Sequence, residues 1–193
     1  MEKLILASAS LRRQEILMQM GLEFDIRPQD VDETFTGLAP ADEAVLLAKK
    51  KTAAFLAGKP SGAAKWVLGA DTFIEIDGEY LGKPETREEA GEMLKRLSGL
   101  THQVITGIAL NVPEKGIKTA ACLTAVTFSP MSASEIDWYL DQNEWQGVAA
   151  AYRIQEKGAL FISSINGSYS NVMGLPINTF YGMLISDKFN FRT

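Results

Sequence analysis

The chain reads as an α/β protein built on a mixed sheet, and three stretches carry that reading. Leu4-Ile5-Leu6-Ala7 is a short apolar run that leads into a helix-forming segment. Trp66-Val67-Leu68-Gly69-Ala70 is a second continuous apolar run, the pattern of a strand covered on both faces. Val104 to Val112 and Ile117 to Phe128 are two long strand-like segments joined by the turn Pro113-Glu114-Lys115-Gly116, which makes the second half antiparallel.

The remaining elements follow in order. Behind Ser8 and Ser10, the residues Ile16, Leu17 and Met20 fall on one helical face, and Gly21 stands where a left-handed residue closes a helix. Glu23 to Ile26 alternates as a short strand. Pro28 to Pro40 lacks periodicity and gathers Asp30, Asp32 and Glu33. Asp42 to Ala57 has an apolar face of Ala44, Val45, Leu47, Ala48 and Phe55, with Pro40 before it and Gly58 after it, so it is a helix. The strand from Trp66 delivers Asp71 and Thr72 at its C-terminal end, the edge at which open α/β sheets bind ligands. Phe73 to Ile76, the pair Asp77-Gly78 and Glu79 to Leu81 make a hairpin that runs into Gly82-Lys83-Pro84.

Thr86 with Glu89 and Ser132 with Glu135 are capping boxes, each opening a helix. Ala149 to Gln155 and Ala159 to Ile165 read as strands, Asn166 to Asn171 as a polar loop, and Pro176 as the start of a helix facing inward through Phe180, Met183 and Leu184. No repeat, low-complexity tract or linker interrupts the chain, so its 193 residues are expected to form one domain.

Composition narrows the function. With 46% hydrophobic and 22% charged residues the chain supports a sizeable core. Cys122 is the single cysteine, without a disulfide partner or a zinc-like setting, and points to a reducing compartment. The first apolar run is too short for a secretory leader and nothing approaches a membrane span, so a cytoplasmic protein is expected. A net charge of −5 argues against nucleic acid as a partner, and a positive site has to be assembled locally. His102 is the only histidine, so Ser-His-Asp and Cys-His chemistry lack their parts.

The candidate residues are few. Ser8, Ser10, Arg12 and Arg13 place hydroxyls and guanidinium groups at a helix N-terminus, which suits an anion, although a plain Ser10 cap with solvated arginines explains the local pattern better. Of Lys49, Lys50 and Lys51, which fan over about 200°, at most two can face one site. Lys83, held between Gly82 and Pro84, is either a fixed cation or a turn lysine. The acidic loop at Asp30, Asp32 and Glu33 is either solvated or a ligand site.

Four separated pieces occur together: Ser8-Ala9-Ser10-Leu11-Arg12-Arg13; Gly69-Ala70-Asp71-Thr72; Gly82-Lys83-Pro84; and Tyr152-Arg153-Ile154-Gln155 followed by Gly167-Ser168-Tyr169 and Gly174-Leu175-Pro176. In this order and spacing the chain resembles, nearly end to end, the Maf family of nucleoside triphosphate pyrophosphatases, also called septum formation proteins. The resemblance implies an elongated mixed β-sheet with surrounding helices and two lobes around a central cleft, as in Maf and ITPase-like proteins. It implies cleavage of a nucleoside triphosphate between the α- and β-phosphates with a divalent cation, Mg²⁺ or Mn²⁺. By motif, Asp71, Lys83 and Glu33 would be catalytic, with Asp71 as general base and Asp71 and Glu33 as metal ligands. Ser8, Arg12, Arg13 and Lys51, with Lys83, would hold the triphosphate.

Thr72 and Gln155 resemble the branch of that family acting on dTTP and UTP, and an amide at Gln155 offers a donor and an acceptor to a pyrimidine edge. The chain departs from the branch at Leu11, Val148, Ala150 and Glu156, where Pro, Lys, Gly and Gly are common; these bear on the base pocket more than on the phosphates. The septum label keeps a second function open, a non-catalytic nucleotide-binding regulator of cell division. A homodimer is left open.

Overall fold

The computed structural model describes residues 2–58 and 65–191. The chain opens with β1 (Leu4–Leu6), fully buried, and α1 (Leu11–Gln19), whose N-cap Ser10 accepts from the Arg13 N–H at 3.5 Å. The helix ends at Gly21, whose φ of 68° lets Leu22 N–H turn back to the Leu17 carbonyl at 3.1 Å. β2 (Phe24–Ile26) then pairs parallel to β1. α2 (Pro40–Ala57) follows, with Pro40 in its first turn.

β3 (Trp66–Ile76) pairs parallel with β1 in register Leu6 to Leu68, and later antiparallel with β4 (Glu79–Leu81), Ile74 facing Leu81. Asp77 and Gly78 take φ values of 52° and 80°, as a two-residue hairpin turn requires. α3 (Arg87–Leu97), β5 (Thr101–Val112), β6 (Gly116–Phe128) and α4 (Ala133–Asp141) follow, then β7 (Ile162–Asn166), α5 (Tyr169–Met173) and α6 (Ile177–Ser186). The strands form one seven-stranded mixed sheet in the order β2-β1-β3-β5-β6-β7, with β4 on β3. Among the described residues, no helix is long and apolar enough to cross a membrane.

The chain divides into two compact units. The first comprises residues 1–72, 106–122 and 174–193, and the second residues 73–105 and 123–173. In the first, Ile5, Ala7, Phe55 and Val67 form a buried cluster that packs α2 against the strands. That packing depends on two glycines. A Cβ on Gly107 would lie 2.2 Å from the Ala44 carbonyl carbon and oxygen, and one on Gly69 would lie 2.4 Å from the Ala48 oxygen and the Thr52 hydroxyl. The α2 backbone therefore rests directly on the sheet, and Thr52 donates to the Ala109 carbonyl at 3.0 Å.

In the second unit His102 is 1% exposed, with Nε2 2.8 Å from the Tyr152 hydroxyl and its ring set edge-on to Phe128 and Tyr152. Burial lowers its pKa from 6.5 to about 4, so it is a neutral core residue at physiological pH.

Four local expectations change. Asp71 does not end a strand, because β3 continues to Ile76; the residue instead lies just past the stretch paired with β1, where the neighbouring strand has stopped. Ala149 to Gln155 is not extended: Ala150 and Ala151 take φ values of 53° and 63°, the chain makes a short 3₁₀ turn, and the Ala150 N–H donates to the Gly82 carbonyl at 2.9 Å. The following segment folds so closely that a Cβ on Gly158 would lie 2.6 Å from the Arg153 oxygen, which delays β7 to Ile162. Within the expected polar loop, Tyr169 begins the short α5.

Two stability measurements follow from this packing. Gly107→Ala is expected to cost roughly 1–3 kcal/mol or more in urea unfolding, whereas Gly182→Ala, on an open face of α6, should be neutral or gain up to about 1 kcal/mol. For His102, the unfolded chain takes up a proton below pH 6.5 and the folded chain only near pH 4. Stability present above pH 6.5 should therefore fall by about 3 kcal/mol as pH drops through that window. The same titration of His102→Gln should lack this component.

Candidate active site

Two linked clusters lie in the first unit. One starts at the carboxyl end of β1, where Ser8 is buried and α1 begins. Arg13, 7% exposed, reaches back under this turn. Its Nη1 donates to Ser8 Oγ at 2.9 Å, Nη2 to Thr72 Oγ1 at 3.0 Å, and Nε to the Gly174 carbonyl at 2.9 Å. Thr72 Oγ1 lies 2.9 Å from the hydroxyl of fully buried Thr106. Burial pushes the Arg13 pKa down to about 10, against the attraction of Asp71, so the guanidinium stays charged at neutral pH. Arg13 thus uses all three nitrogens on acceptors of its own chain, while Arg12, one residue earlier in the same turn, is half-buried.

The other cluster centres on α2. Its three consecutive lysines divide: Lys49 is exposed, Lys50 donates to the Asp32 carbonyl at 2.9 Å, and Lys51 is buried. Lys51 Nζ lies 2.5 Å from Asp71 Oδ1 and 2.7 Å from Glu33 Oε1. Asp71 is largely enclosed, at 13% side-chain exposure, while Glu33 is 58% exposed. Two carboxylates from distant parts of the sequence therefore converge on one ammonium.

The loop bearing Glu33 is held by a residue at the start of α2. Glu43, in the first turn of α2, is 1% exposed and accepts from the Thr36 N–H at 3.0 Å, the Thr36 hydroxyl at 3.1 Å and the Leu38 N–H at 3.1 Å. Burial alone would raise its pKa, yet the N–H donors of Thr36, Leu38 and Gly37 bring it below the ordinary glutamate value.

The other two predicted residues belong to the second unit. Lys83 is exposed beyond β4. Gln155 is half-buried, and its Oε1 is buried with no hydrogen-bond donor among the described residues. Its turn is fastened by Arg153, which donates to the carbonyls of Glu144 at 2.9 Å and Gln146 at 3.2 Å, and by Glu144, which accepts from the Lys157 N–H at 2.9 Å. The sequence reading missed Thr106, Glu43 and Glu144; only Glu43, an acid in a first helical turn, had a positional signal, and that signal also describes an ordinary helix start.

Chemically, the first unit offers a buried guanidinium framework under a helix N-terminus and a carboxylate pair half-neutralised by one lysine. Among the described residues no three His, Cys, Asp or Glu side chains converge as a metal-ligand group, and Asp71 and Glu33 are the pair that meets at one point.

Comparison with known proteins agrees with the whole-chain pattern. Residues 3–186 match the model of the Maf-like protein family, and the chain belongs to that family. It is 44% identical to the dTTP/UTP pyrophosphatase of Latilactobacillus sakei over 93% of this chain and 98% of that protein. It is also 44% identical to the dTTP/UTP pyrophosphatase of Symbiobacterium thermophilum, over 95% and 93% respectively. In fold it resembles the Ham1 protein of Staphylococcus aureus, with a TM-score of 0.54 at 16% identity, covering 96% of this chain and 100% of that one. A HAM1 protein from Coxiella burnetii gives 0.51 at 19% identity, with the same coverage.

The Arg13 framework makes a direct prediction. Arg13→Lys keeps the charge but cannot reproduce a three-way planar fork, and should cost about 2 kcal/mol in denaturant unfolding as Gly174, Ser8 and Thr72 lose donors.

Proposed function

We propose that the protein hydrolyses nucleoside triphosphates, dTTP and UTP foremost, between the α- and β-phosphates to the monophosphate and pyrophosphate. The observation that carries the reading is the convergence of Asp71 and Glu33 on one cationic position, with the Arg12–Arg13 helix start in the same unit. Relatives named dTTP/UTP pyrophosphatases, alike over more than nine-tenths of the chain, support it.

In this reading a divalent cation, Mg²⁺ or Mn²⁺, is held by Asp71 and Glu33. The donor set fits: two carboxylate oxygens already approach a common point within 2.5 and 2.7 Å of a positive charge, and hard cations of this kind take one or two carboxylates with phosphate and water oxygens completing the shell. When bound, the metal neutralises phosphate charge. Asp71 removes the proton from the water that attacks phosphorus. By family motif Arg12, Lys51 and Lys83 are assigned to phosphate oxygens and Ser8 adds a hydroxyl, with Arg13 keeping Ser8 and Thr72 in place. A nucleotide substrate and a single cysteine suit the cytoplasm.

Gln155 supports the choice of base. Its buried Oε1, without a hydrogen-bond donor among the described residues, is suited to accept the ring N3–H of thymine and uracil, where cytosine presents an acceptor at N3 and carries its donor on the N4 amino group instead. A pocket built to satisfy such a group rejects the analogue that lacks it.

A panel of triphosphates with Mg²⁺ or Mn²⁺, with products separated by ion exchange, tests the reading. Pyrophosphate should appear with the monophosphate, and CTP and dCTP should be poorer than UTP and dTTP by at least about 100-fold in kcat/KM. Asp71→Asn should lower turnover by roughly 10²–10⁴-fold while a non-hydrolysable triphosphate still binds. Orthophosphate with a diphosphate nucleotide refutes the cleavage position; tight binding without any product returns the chain to the regulator class.

A further inference from the structure

Lys51 is a phosphate ligand by motif, yet its ammonium lies against Asp71 and Glu33, the two carboxylates assigned to the metal. It is 8% exposed, on a helix that Gly69 and Gly107 allow to rest directly on the sheet, so its position is set by backbone packing rather than by a wandering surface side chain. The loop carrying Glu33 is clasped to the same helix twice more, through Lys50 to the Asp32 carbonyl and through Glu43 to Thr36 and Leu38. These contacts fasten the loop that carries Glu33 to the helix that carries Lys51.

We propose that Lys51 is an internal counter-ion that occupies the cation position of the carboxylate pair and yields it when a divalent metal binds, its ammonium then being released to phosphate oxygens. The argument is one of charge. Asp71, Glu33 and Lys51 together carry a single negative charge; adding a divalent cation beside an unmoved ammonium would leave like charges crowded at one place. Withdrawal of Lys51 lets the metal neutralise both carboxylates and leaves one free ammonium, so a single exchange turns a carboxylate partner into a polyanion partner. Metal and triphosphate then favour each other's binding through one side chain, as reciprocal coupling demands. Only the second half, delivery to phosphate, rests on the proposed reaction.

The exchange is tested on the nucleotide-free full chain with Mn²⁺ alone, free metal being followed by electron paramagnetic resonance. Lys51→Met removes the competing charge at similar length and should bind Mn²⁺ about tenfold more tightly than the parent, whereas Lys51→Arg should stay within about twofold. Saturating Mn²⁺ should also raise the Tm of Lys51→Met more than that of the parent. In the parent itself, where no variant has to fold, acylation of the Lys51 amine should accelerate when Mg²⁺ is added. Equal or weaker Mn²⁺ binding by folded Lys51→Met, or an acylation rate indifferent to Mg²⁺, overturns the proposal. A chain that passes these tests but releases no pyrophosphate loses the reaction and keeps the counter-ion; one that turns over nucleotide with metal affinity unmoved in Lys51→Met loses the counter-ion alone.

Discussion

The first unit depends on how closely α2 approaches the sheet. With side chains at positions 69 and 107, the helix would have to lift, because a Cβ at either position would sit inside the van der Waals envelope of the α2 backbone. The close contact buries Ala44, Leu47, Ala48 and Phe55, sends the Thr52 hydroxyl to the Ala109 carbonyl, and holds Lys51 at the level of Asp71. A shift of an ångström or two would separate the ammonium from the carboxylates, so a backbone packing constraint and the electrostatics of the candidate site are one arrangement.

Much of this is legible in the residue order. The continuous apolar runs at Leu4 and Trp66 are buried strands, Gly21 closes α1, Asp77-Gly78 turns the β3–β4 hairpin, and Ser132 with Glu135 forms a complete capping box. These succeed because each is decided within a few residues by turn geometry, caps and period. Thr86 shows the limit: it caps α3 through the Glu89 N–H at 3.1 Å, but the Glu89 carboxylate takes the Glu85 N–H instead of closing the box.

What the order conceals is decided at long range. The segment after Val148 has strand-like composition, yet Ala150 and Ala151 are driven into left-handed backbone while Ala150 bonds to Gly82, and Gly158 allows the chain to close on Arg153. Alanine carries no sign of a positive φ, so the turn could not be seen from its residues. The same holds within the site. Arg12 and Arg13 are indistinguishable as neighbours in a sequence, and only the fold shows that Arg13 is enclosed by Ser8, Thr72 and Gly174. Likewise a run of three lysines conveys positive charge, but not that one of them faces two carboxylates.

The bond from Arg13 to Gly174 spans 161 residues, and it has a bearing on how the protein is made. During synthesis β1 and α1 emerge before the carbonyl that receives the Arg13 Nε, which belongs to a residue translated much later. Until then a guanidinium destined for the interior lacks one of its three acceptors, and contacts of such long sequence separation are slow to form. Nascent or truncated chains that stop short of Gly174 therefore hold the N-terminal motif without its completed framework. The Ser8–Arg13 segment is thus translated long before the residue that completes its hydrogen bonding.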